Sequence, residues 1–168
     1  MSRQEKIFRG IELARRNQVL TQMLDELAAE YLGINTTDGR AIDVIDQAGR
    51  ITAGDLAREL RLSTGAVTTI VDRLEDAGFA RRVADPDDRR RVLIEVTPAV
   101  KKASKEIYGD PEEAVSWAKG FSDADLDAIV RFQDRSSAWL EQRLARVQAL
   151  LDRRRAGTNK RLQGRGRA

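Results

Sequence analysis

The sequence predicts a mostly α-helical fold with one small β hairpin. Hydrophobic residues make up 41% of the 168 residues, whereas aromatic residues make up only 5% and charged residues 34%. This composition suits long solvated helices better than stacked β-sheets. Apolar residues recur at three- and four-residue spacing along much of the chain, and two short β-prone runs surround a turn rich in aspartate near its middle.

Composition excludes several classes of chemistry. The chain contains no cysteine and no histidine, which removes disulfides, thiol nucleophiles, thiol redox sensing and the usual zinc ligands. The sequence also shows no Gly-rich phosphate loop and no nucleophile elbow. We therefore expect a protein that is not an enzyme and that has no catalytic residues, no metal site and no cofactor.

The amino-terminal residues carry no recognisable targeting signal. Residues 1–16 mix charges with single apolar residues, and no apolar run in the chain approaches the roughly 18 residues needed to cross a bilayer. A cytoplasmic protein with no membrane contact is the expectation.

The net charge of +3 is unevenly distributed. Residues 153–168 hold seven basic residues and no acidic one, which leaves a net charge of −4 for residues 1–152. The sequence pI of 9.5 is therefore weak evidence that the folded part binds nucleic acid, and the local placement of arginines has to carry that argument.

Two helices are predicted at the start of the chain. Apolar residues at helical spacing predict a long amphipathic helix from Arg3 to Leu32. Turn-forming residues after Gly33 end it, and a shorter helix is predicted from about Asp38 to Gln47. The apolar positions of the first helix are Ile7, Ile11, Ala14, Leu20, Met23, Leu24, Leu27 and Tyr31.

Two short helices and a hairpin follow. Thr52 and Asp55 resemble a capping box for a helix that ends near Leu60, and Ser63 can cap a second helix that Gly78 stops. Beyond it, the β-prone runs 79–84 and 91–96 flank the turn Asp85-Pro86-Asp87-Asp88 and predict a hairpin.

The carboxy-terminal third is predicted to be helical up to Asp152. Thr97 and Pro98 form a typical helix start, with a capping hydroxyl and a proline at the first helical position. Residues 109–111 interrupt this helix near Tyr108, a short segment resumes through Trp117, and Ser122 begins another helix. Residues 153–168 lack a periodic apolar pattern, so we expect a disordered basic tail.

The order of elements from Thr52 to Thr97 predicts a winged helix-turn-helix that reads DNA. The second short helix would enter a major groove about 12 Å wide, and arginines at the hairpin tip would reach the minor groove. Each feature alone is commonly a piece of helical core or a solvated surface, but their adjacency favours the DNA-binding interpretation. The candidate contacts are Ser63, Thr64, Gly65, Thr68, Thr69, Arg89, Arg90 and Arg91.

The same stretch resembles the MarR (multiple antibiotic resistance regulator) family of bacterial repressors. The matching motifs are Leu56-Ala57, Gly65-Ala66-Val67-Thr68, Val71-Asp72-Arg73-Leu74-Glu75, Gly78, Arg82, Asp85-Pro86, Asp88-Arg89-Arg90 and Thr97. The resemblance implies a homodimeric transcriptional repressor with two winged helices placed on a pseudo-palindromic operator.

The resemblance also implies roles for individual residues. Arg73 would contact the DNA backbone, and Arg90 would be the wing arginine in the minor groove. Asp72 would orient the wing as the salt-bridge partner of Arg90, and Asp88 would help shape the turn. The sequence departs from the family pattern at Arg61, which occupies a tight turn that often has glycine, and at Pro98-Ala99-Val100 after the wing.

These inferences give a domain plan. Residues 1–36 and 98–152 form a helical dimerisation region, residues 37–97 form the winged helix-turn-helix domain, and residues 153–168 form the tail. A second copy is the economical partner for two long amphipathic helices, which are marginal alone in water. The tail is either an electrostatic arm on DNA or a solvated end, and both interpretations stay open.

A small ligand is a further expectation from the resemblance, which implies a small anionic aromatic molecule bound between the dimerisation helices and the winged domain. Tyr31, Trp117, Phe121, Phe132 and Trp139 are the candidate pocket residues, although any one of them is more commonly part of a core. The alternative function is a helical dimeric adaptor whose winged helix binds protein. The arginines of the hairpin tip argue against it, because they suit phosphates.

Overall fold

A computed structural model of the chain describes residues 1–88 and 90–165, with the backbone alone at residues 111, 114, 117 and 156–165. It confirms the predicted fold class, mostly α with a small antiparallel sheet. The elements in chain order are α1 (Arg3–Leu32), α2 (Thr36–Ala48), β1 (Ile51–Thr52), α3 (Ala53–Leu60), α4 (Thr64–Asp76), β2 (Ala80–Ala84), β3 (Val92–Val96), α5 (Pro98–Tyr108), α6 (Pro111–Trp117) and α7 (Asp123–Arg165).

The chain divides into two compact units, Met1–Pro111 and Glu112–Ala168. The first unit contains the winged helix together with α1 and α5. The second contains most of α6 and all of the described part of α7. The domain plan drawn from the sequence groups α1 and α5 with the carboxy-terminal helices instead, because it is based on their common amphipathic pattern.

Local capping explains where the first two helices begin and end. The Ser2 hydroxyl accepts the Glu5 amide hydrogen and the Glu5 carboxylate accepts that of Ser2, which is a complete capping box. Gly33 ends α1 with a φ of 67°, a left-handed conformation that glycine adopts without a Cβ clash. Asn35 then caps α2, and its side-chain oxygen accepts the amide hydrogen of Asp38.

One hydrophobic core lies within the winged helix. Side chains from α2, α3, α4 and the sheet pack together, with Ile45, Leu56 and Leu74 fully buried. Ile34, Phe79 and Val100 pack against its edge. The core residues are Ala41, Ile42, Ile45, Ile51, Leu56, Ala57, Leu60, Val67, Ile70, Val71, Leu74, Ala80 and Ile94.

The sheet has three strands, in the order β1-β3-β2, and all pairs are antiparallel. β2 and β3 form the predicted hairpin, with Arg82 opposite Ile94. β1 places Ile51 opposite Ile94 on the other side of β3 and was not predicted. A strand of two residues is too short to show the alternation by which strands are recognised in a sequence.

The second unit is dominated by α7. Ser122 begins it, and its hydroxyl accepts the amide hydrogen of Asp125, as the sequence predicts. The helix continues to Arg165, whereas the sequence predicts a disordered tail from residue 153. Arginine, alanine, glutamine and lysine favour helix, and extending an existing helix needs no new nucleation. Residues 166–168 lie outside the described part. None of the helices that the structure describes is long and apolar enough to cross a membrane.

Candidate nucleic-acid interface

A tight turn joins α3 to α4 and creates the helix-turn-helix. Arg61 stands in this turn with φ 57° and ψ 41°, the single non-glycine residue with a positive φ in the part of the chain described. Its amide donates to the carbonyl of Arg58, and the Leu62 amide donates to that of Ala57. A residue with a Cβ adopts this left-handed conformation at a cost of roughly 1 kcal/mol, at a turn where the family often has glycine.

The predicted contact residues occupy the first two turns of α4 and the residue before it. Ser63 caps the helix, and its hydroxyl oxygen accepts the amide hydrogen of Ala66. The inner face of α4 is buried through Val67, Ile70, Val71 and Leu74. Packing of this face turns the opposite one to solvent, where the candidate contacts Ser63, Thr64, Gly65, Thr68 and Thr69 are all exposed.

Two of these threonines use their hydroxyl hydrogens inside the protein. Thr68 Oγ1 donates to the carbonyl oxygen of Thr64 at 3.0 Å, and Thr69 Oγ1 donates to that of Gly65 at 3.2 Å. A hydroxyl that donates in this way keeps its oxygen lone pairs available as acceptors. At Thr68 and Thr69 the exposed face of α4 therefore offers acceptors and methyl groups.

Gly65 leaves the backbone of the first turn uncovered. A Cβ added at Gly65 would meet no atom of the protein within 4 Å, so the packing of this chain does not require glycine there. The same absence of a side chain permits the close approach of another molecule to the helix N-terminus.

Arg73 is held by a buried carboxylate. Its Nε and Nη2 atoms donate to the two oxygens of Asp38, at 2.9 and 2.5 Å. Asp38 is only 2% exposed and also accepts a hydrogen bond from the Asn35 amide group. The hydrogen bond to Asp38 raises the pKa of Arg73. This bidentate pair ties the start of α2 to the end of α4, a role that the sequence did not indicate.

Asp72 pairs with Arg82, and not with Arg90 as the family resemblance implies. Arg82 Nη2 lies 2.7 Å from Asp72 Oδ1, and its other terminal nitrogen binds Glu75. The Arg82 amide also donates to Glu75 Oε1 at 2.7 Å. Asp72 and Glu75 are one helical turn apart and lie beside β2, whereas Arg90 is at the hairpin tip. The wing is thus fastened to α4 at its base.

The hairpin tip is shaped by aspartates. Asp85 is 7% exposed; its side chain accepts the amide hydrogen of Asp87 and lies 3.7 Å from Arg91 Nη1. Asp88 accepts the amide hydrogen of Arg90 and lies 3.6 Å from its Nε atom. The side chain of Arg90 is 94% exposed. The third predicted arginine of the tip, Arg89, lies outside the described residues.

A second charged cluster braces the sheet. Glu95 on β3 is buried, and its two oxygens accept from Arg50 Nε at 2.7 Å and Arg81 Nε at 2.7 Å. The hydrogen bonds from Arg50 and Arg81 hold the pKa of Glu95 below its ordinary value. The sequence did not indicate this cluster, because it joins three separate segments that only the sheet brings together.

A cavity of about 590 Å³ lies in the first unit, among α1, α2 and α5. Its wall includes aspartates from α1 and α2 and two aromatic side chains, Phe79 and Tyr108. Burial, followed by the charges of Asp25 and Asp46, raises the pKa of Asp43 in this wall. Arg40 and Lys101 contribute positive charge to the same wall.

The structure does not bring the predicted aromatic residues together at this cavity. Tyr31 is 66% exposed, and its hydroxyl donates to Glu106 at 3.1 Å. Phe121, Phe132 and Trp139 belong to the second unit, and each is about half exposed. The side chain of Trp117 lies outside the described part. The two aromatic residues in the cavity wall, Phe79 and Tyr108, are not among the five that the sequence suggested, so those five stay a prediction.

Comparisons with known proteins identify relatives of the whole chain and of its middle. A model described as the MarR family matches residues 34–92. The chain is 35% identical over 147 residues to the uncharacterized HTH-type transcriptional regulator YcgE of Bacillus subtilis. The matched segment is 87% of this chain and 96% of that protein. It is 35% identical over 91 residues to the multiple antibiotic resistance protein MarR of Salmonella typhimurium, over 52% of this chain and 63% of that one.

The fold also resembles a solved structure. The crystal structure of Streptococcus pneumoniae FabT in complex with DNA is similar with a TM-score of 0.57, at 21% identity, over 82% of this chain and 97% of that one. At this identity the likeness concerns the fold.

Proposed function

The chain belongs to the MarR family of transcriptional regulators, and from this premise we propose that it represses transcription as a homodimer on a pseudo-palindromic operator. One observation carries the proposal. The same domain exposes a helix start with short polar side chains, Ser63–Thr69, and a hairpin tip whose Arg90 is 94% exposed. A helix of this kind fits a major groove and an extended arginine fits the adjacent minor groove.

The first turns of α4 make the major-groove contacts in this proposal. Amide groups at the start of a helix carry partial positive charge, and the short side chains of Thr64 and Gly65 let that end approach the DNA closely. Ser63, Thr68 and Thr69 then lie near phosphates and base edges. Arg73, still 46% exposed beside Asp38, contacts the DNA backbone.

The wing makes the minor-groove contact. Arg90 is placed by the turn that Asp88 organises, and Arg91 adds positive charge beside it. A narrow minor groove concentrates negative potential and attracts an inserted arginine. Because Arg82 fastens the base of the wing to Asp72 and Glu75, the tip keeps a fixed position relative to α4.

The DNA-binding proposal is tested with the full-length protein. In vitro selection yields a bound sequence, and fluorescence anisotropy measures its affinity. We expect Arg90→Ala to weaken binding at least about tenfold, since a charge-assisted hydrogen bond contributes 1.5–3 kcal/mol. Arg81→Ala is the matched control, because Arg81 stands on the same hairpin but binds Glu95; it leaves the affinity within about twofold.

Two results would contradict the proposal. Unchanged binding by Arg90→Ala removes the wing from the DNA contact. Failure to enrich any sequence at moderate salt favours the adaptor, whose winged helix binds protein.

Homodimerisation accounts for the apolar side chains left uncovered on the long helices. On α1, Leu20, Met23 and Leu27 are 52%, 54% and 61% exposed. On α7, Leu140 and Leu144 are about half exposed. Exposed apolar stripes on helices favour a protein interface. In the proposal, residues 1–36 and 98–152 form the dimerisation region, and a symmetric dimer sets two winged helices on two half-sites.

We further propose that a small aromatic ligand enters the cavity among α1, α2 and α5 and releases the DNA. The cavity has the size of ordinary ligand sites. Phe79 and Tyr108 offer aromatic surfaces, and Lys101 offers a partner for the anionic group that the family resemblance implies. Asp43, with its raised pKa, opposes an anion in the same wall.

Probes of matched shape and opposite charge test the ligand. Benzoate and benzamidine are each titrated against the protein–operator complex. Release by benzoate supports the anionic class, and release by benzamidine alone changes the class to a cation. Gly39→Leu extends a side chain from the cavity wall, at a position where a Cβ meets no atom within 4 Å, and abolishes either response. Release that persists in Gly39→Leu contradicts this location.

A further inference from the structure

The recognition helix lacks the side chains that read guanine. Arginine or lysine usually contacts the two guanine acceptors in the major groove, and asparagine or glutamine usually reads adenine. Within Thr64–Asp76 there is no lysine, asparagine or glutamine, and Arg73 is the one arginine. Direct readout by α4 must therefore use smaller groups.

Two arginines of the helix-turn-helix are engaged by acids. Arg73 is bound in a bidentate manner by the buried Asp38, near the end of the helix. Arg58 on α3 is paired with Asp55. Neither guanidinium extends from the first two turns of α4, where the helix approaches bases.

Two hydroxyl groups on these turns, those of Thr68 and Thr69, have a defined polarity. Because Thr68 and Thr69 donate their hydroxyl hydrogens to carbonyls of their own helix, only their oxygen lone pairs face outward. In the major groove guanine offers only acceptors, N7 and O6, which an acceptor cannot bond. Adenine and cytosine offer amino hydrogens, which it can.

Methyl groups add a second preference. Each threonine carries a methyl group on the carbon that bears its hydroxyl, and Ala66 adds another methyl in the same turn. Thymine is the base with a methyl group at the major-groove edge, and alanine and threonine methyls are its usual apolar contacts. Gly65, which no packing within the protein requires, lets these groups come close.

We propose that α4 selects T·A pairs, with its threonine and alanine methyl groups against thymine methyls and the Thr68 and Thr69 oxygens accepting from adenine amino groups. This inference rests on the proposed function, since it concerns which DNA the repressor binds. Thr64, Ala66 and Thr68 are the specificity-determining residues, and the Arg90 contact adds preference for the narrow minor groove of A·T-rich DNA.

Base analogues test the inference on the full-length protein. In the duplex obtained by in vitro selection, each thymine is replaced in turn by deoxyuridine, which lacks the methyl group. Each guanine is replaced by 7-deazaguanine, which lacks the N7 acceptor. We expect one or more deoxyuridine substitutions in each half-site to weaken binding about fourfold, the equivalent of one buried methyl group, and 7-deazaguanine to weaken it less.

Two threonine variants assign the effect to α4. Thr68→Ser keeps the hydroxyl and removes the methyl group, so it loses the response to deoxyuridine at its contact. Thr68→Val keeps the methyl group and removes the hydroxyl, so it retains that response. The matched comparison separates the two contacts without removing a core side chain, because Thr68 is exposed.

The outcomes separate this inference from the proposed function. Specific binding that is insensitive to deoxyuridine but weakened tenfold or more by 7-deazaguanine overturns the T·A reading and leaves the repressor intact. Failure to select any sequence overturns both. A thymine dependence that Thr68→Ser removes supports the inference.

Discussion

The winged helix buries its apolar side chains, whereas the long terminal helices leave most of theirs exposed. Thirteen core residues, all between Ala41 and Ile94, form one cluster. By contrast, the 30 residues of α1 bury only Ala28 and Ala29, and its larger apolar side chains are exposed. The winged helix therefore contains its own core, whereas α1 and α7 carry the exposed apolar surface that the proposed dimer would cover.

The difference follows from the sequence pattern and the length of each element. Short helices of 8 to 13 residues joined by tight turns fold back on one another, so each inner face meets another from the same chain. A single helix of 30 residues extends about 45 Å, beyond the reach of a domain this small. In the proposed dimer the stability of the long helices is thus coupled to association, while that of the winged helix is not.

The largest expected effect comes from charging the exposed stripe of α1. Leu20→Asp with Leu27→Asp removes four leucines from a symmetric interface. Burial of each leucine contributes about 1.5–3 kcal/mol, whereas a micromolar dimer has only about 8 kcal/mol of binding free energy. We expect a monomer in sedimentation experiments, with the winged helix still folded. Gln18→Asp with Gln22→Asp is the control with equal added charge. A variant that remains dimeric at micromolar concentration would show that the stripe on α1 is not the dimer interface.

A core substitution in the winged helix should lower the free energy of unfolding by the same amount whether or not the chain is dimeric. Leu74 on α4 is fully buried, and truncation of such a leucine costs about 2–5 kcal/mol. Urea denaturation of Leu74→Ala at two protein concentrations should show the same loss at both. Leu62→Ala, at a residue 38% exposed in the same domain, should lose under about 1 kcal/mol. A loss that disappears at high protein concentration would show that the domain is not independent.

The ion pair between Asp38 on α2 and Arg73 on α4 should contribute to the stability of the winged helix. Arg73→Gln leaves the carboxylate of Asp38 buried without its charged partner, and we expect a loss of about 2 kcal/mol, less than for a fully buried pair because Arg73 is half exposed. Asp38→Asn in the same protein should restore part of it. A double-mutant cycle measures the coupling, and strictly additive losses would mean that the pair contributes nothing.

The smallest effect concerns the turn of the helix-turn-helix. Arg61→Gly should stabilise the protein by about 1 kcal/mol, since glycine adopts the left-handed conformation without strain. Arg58→Gly is the matched control, three residues earlier inside α3, and should cost up to about 1 kcal/mol. Thermal unfolding distinguishes the two, and equal destabilisation by both would show that the turn is not strained.

Local signals in the sequence predicted most of the fold. Ser63 and Thr97 begin helices as expected, and the aspartate-rich turn joins the two strands of the hairpin. These features depend on residues within three or four positions of one another. A sequence displays such neighbours directly, so caps, turns and amphipathic periods could be recognised without a structure.

Contacts between distant segments could not be predicted in the same way. The partner of Asp72 is Arg82 because β2 runs back beside α4, and the sequence offered Arg90 as an equally charged alternative. The pairing of Asp38 with Arg73 joins residues 35 positions apart. Charge complementarity has many solutions along a chain with 30 basic and 27 acidic residues, so packing selects among them.

The sequence by itself determined the winged helix-turn-helix, the helix start that faces outward and the family to which the chain belongs. Only the tertiary structure decided which arginines are held by acids, where the cavity lies and that the hydroxyls of Thr68 and Thr69 face outward as acceptors. The physical reason is the distance along the chain over which each interaction acts. Backbone propensity and capping act over one turn, whereas ion pairs, cavities and the direction of a hydroxyl hydrogen depend on surroundings that exist only after the chain has folded.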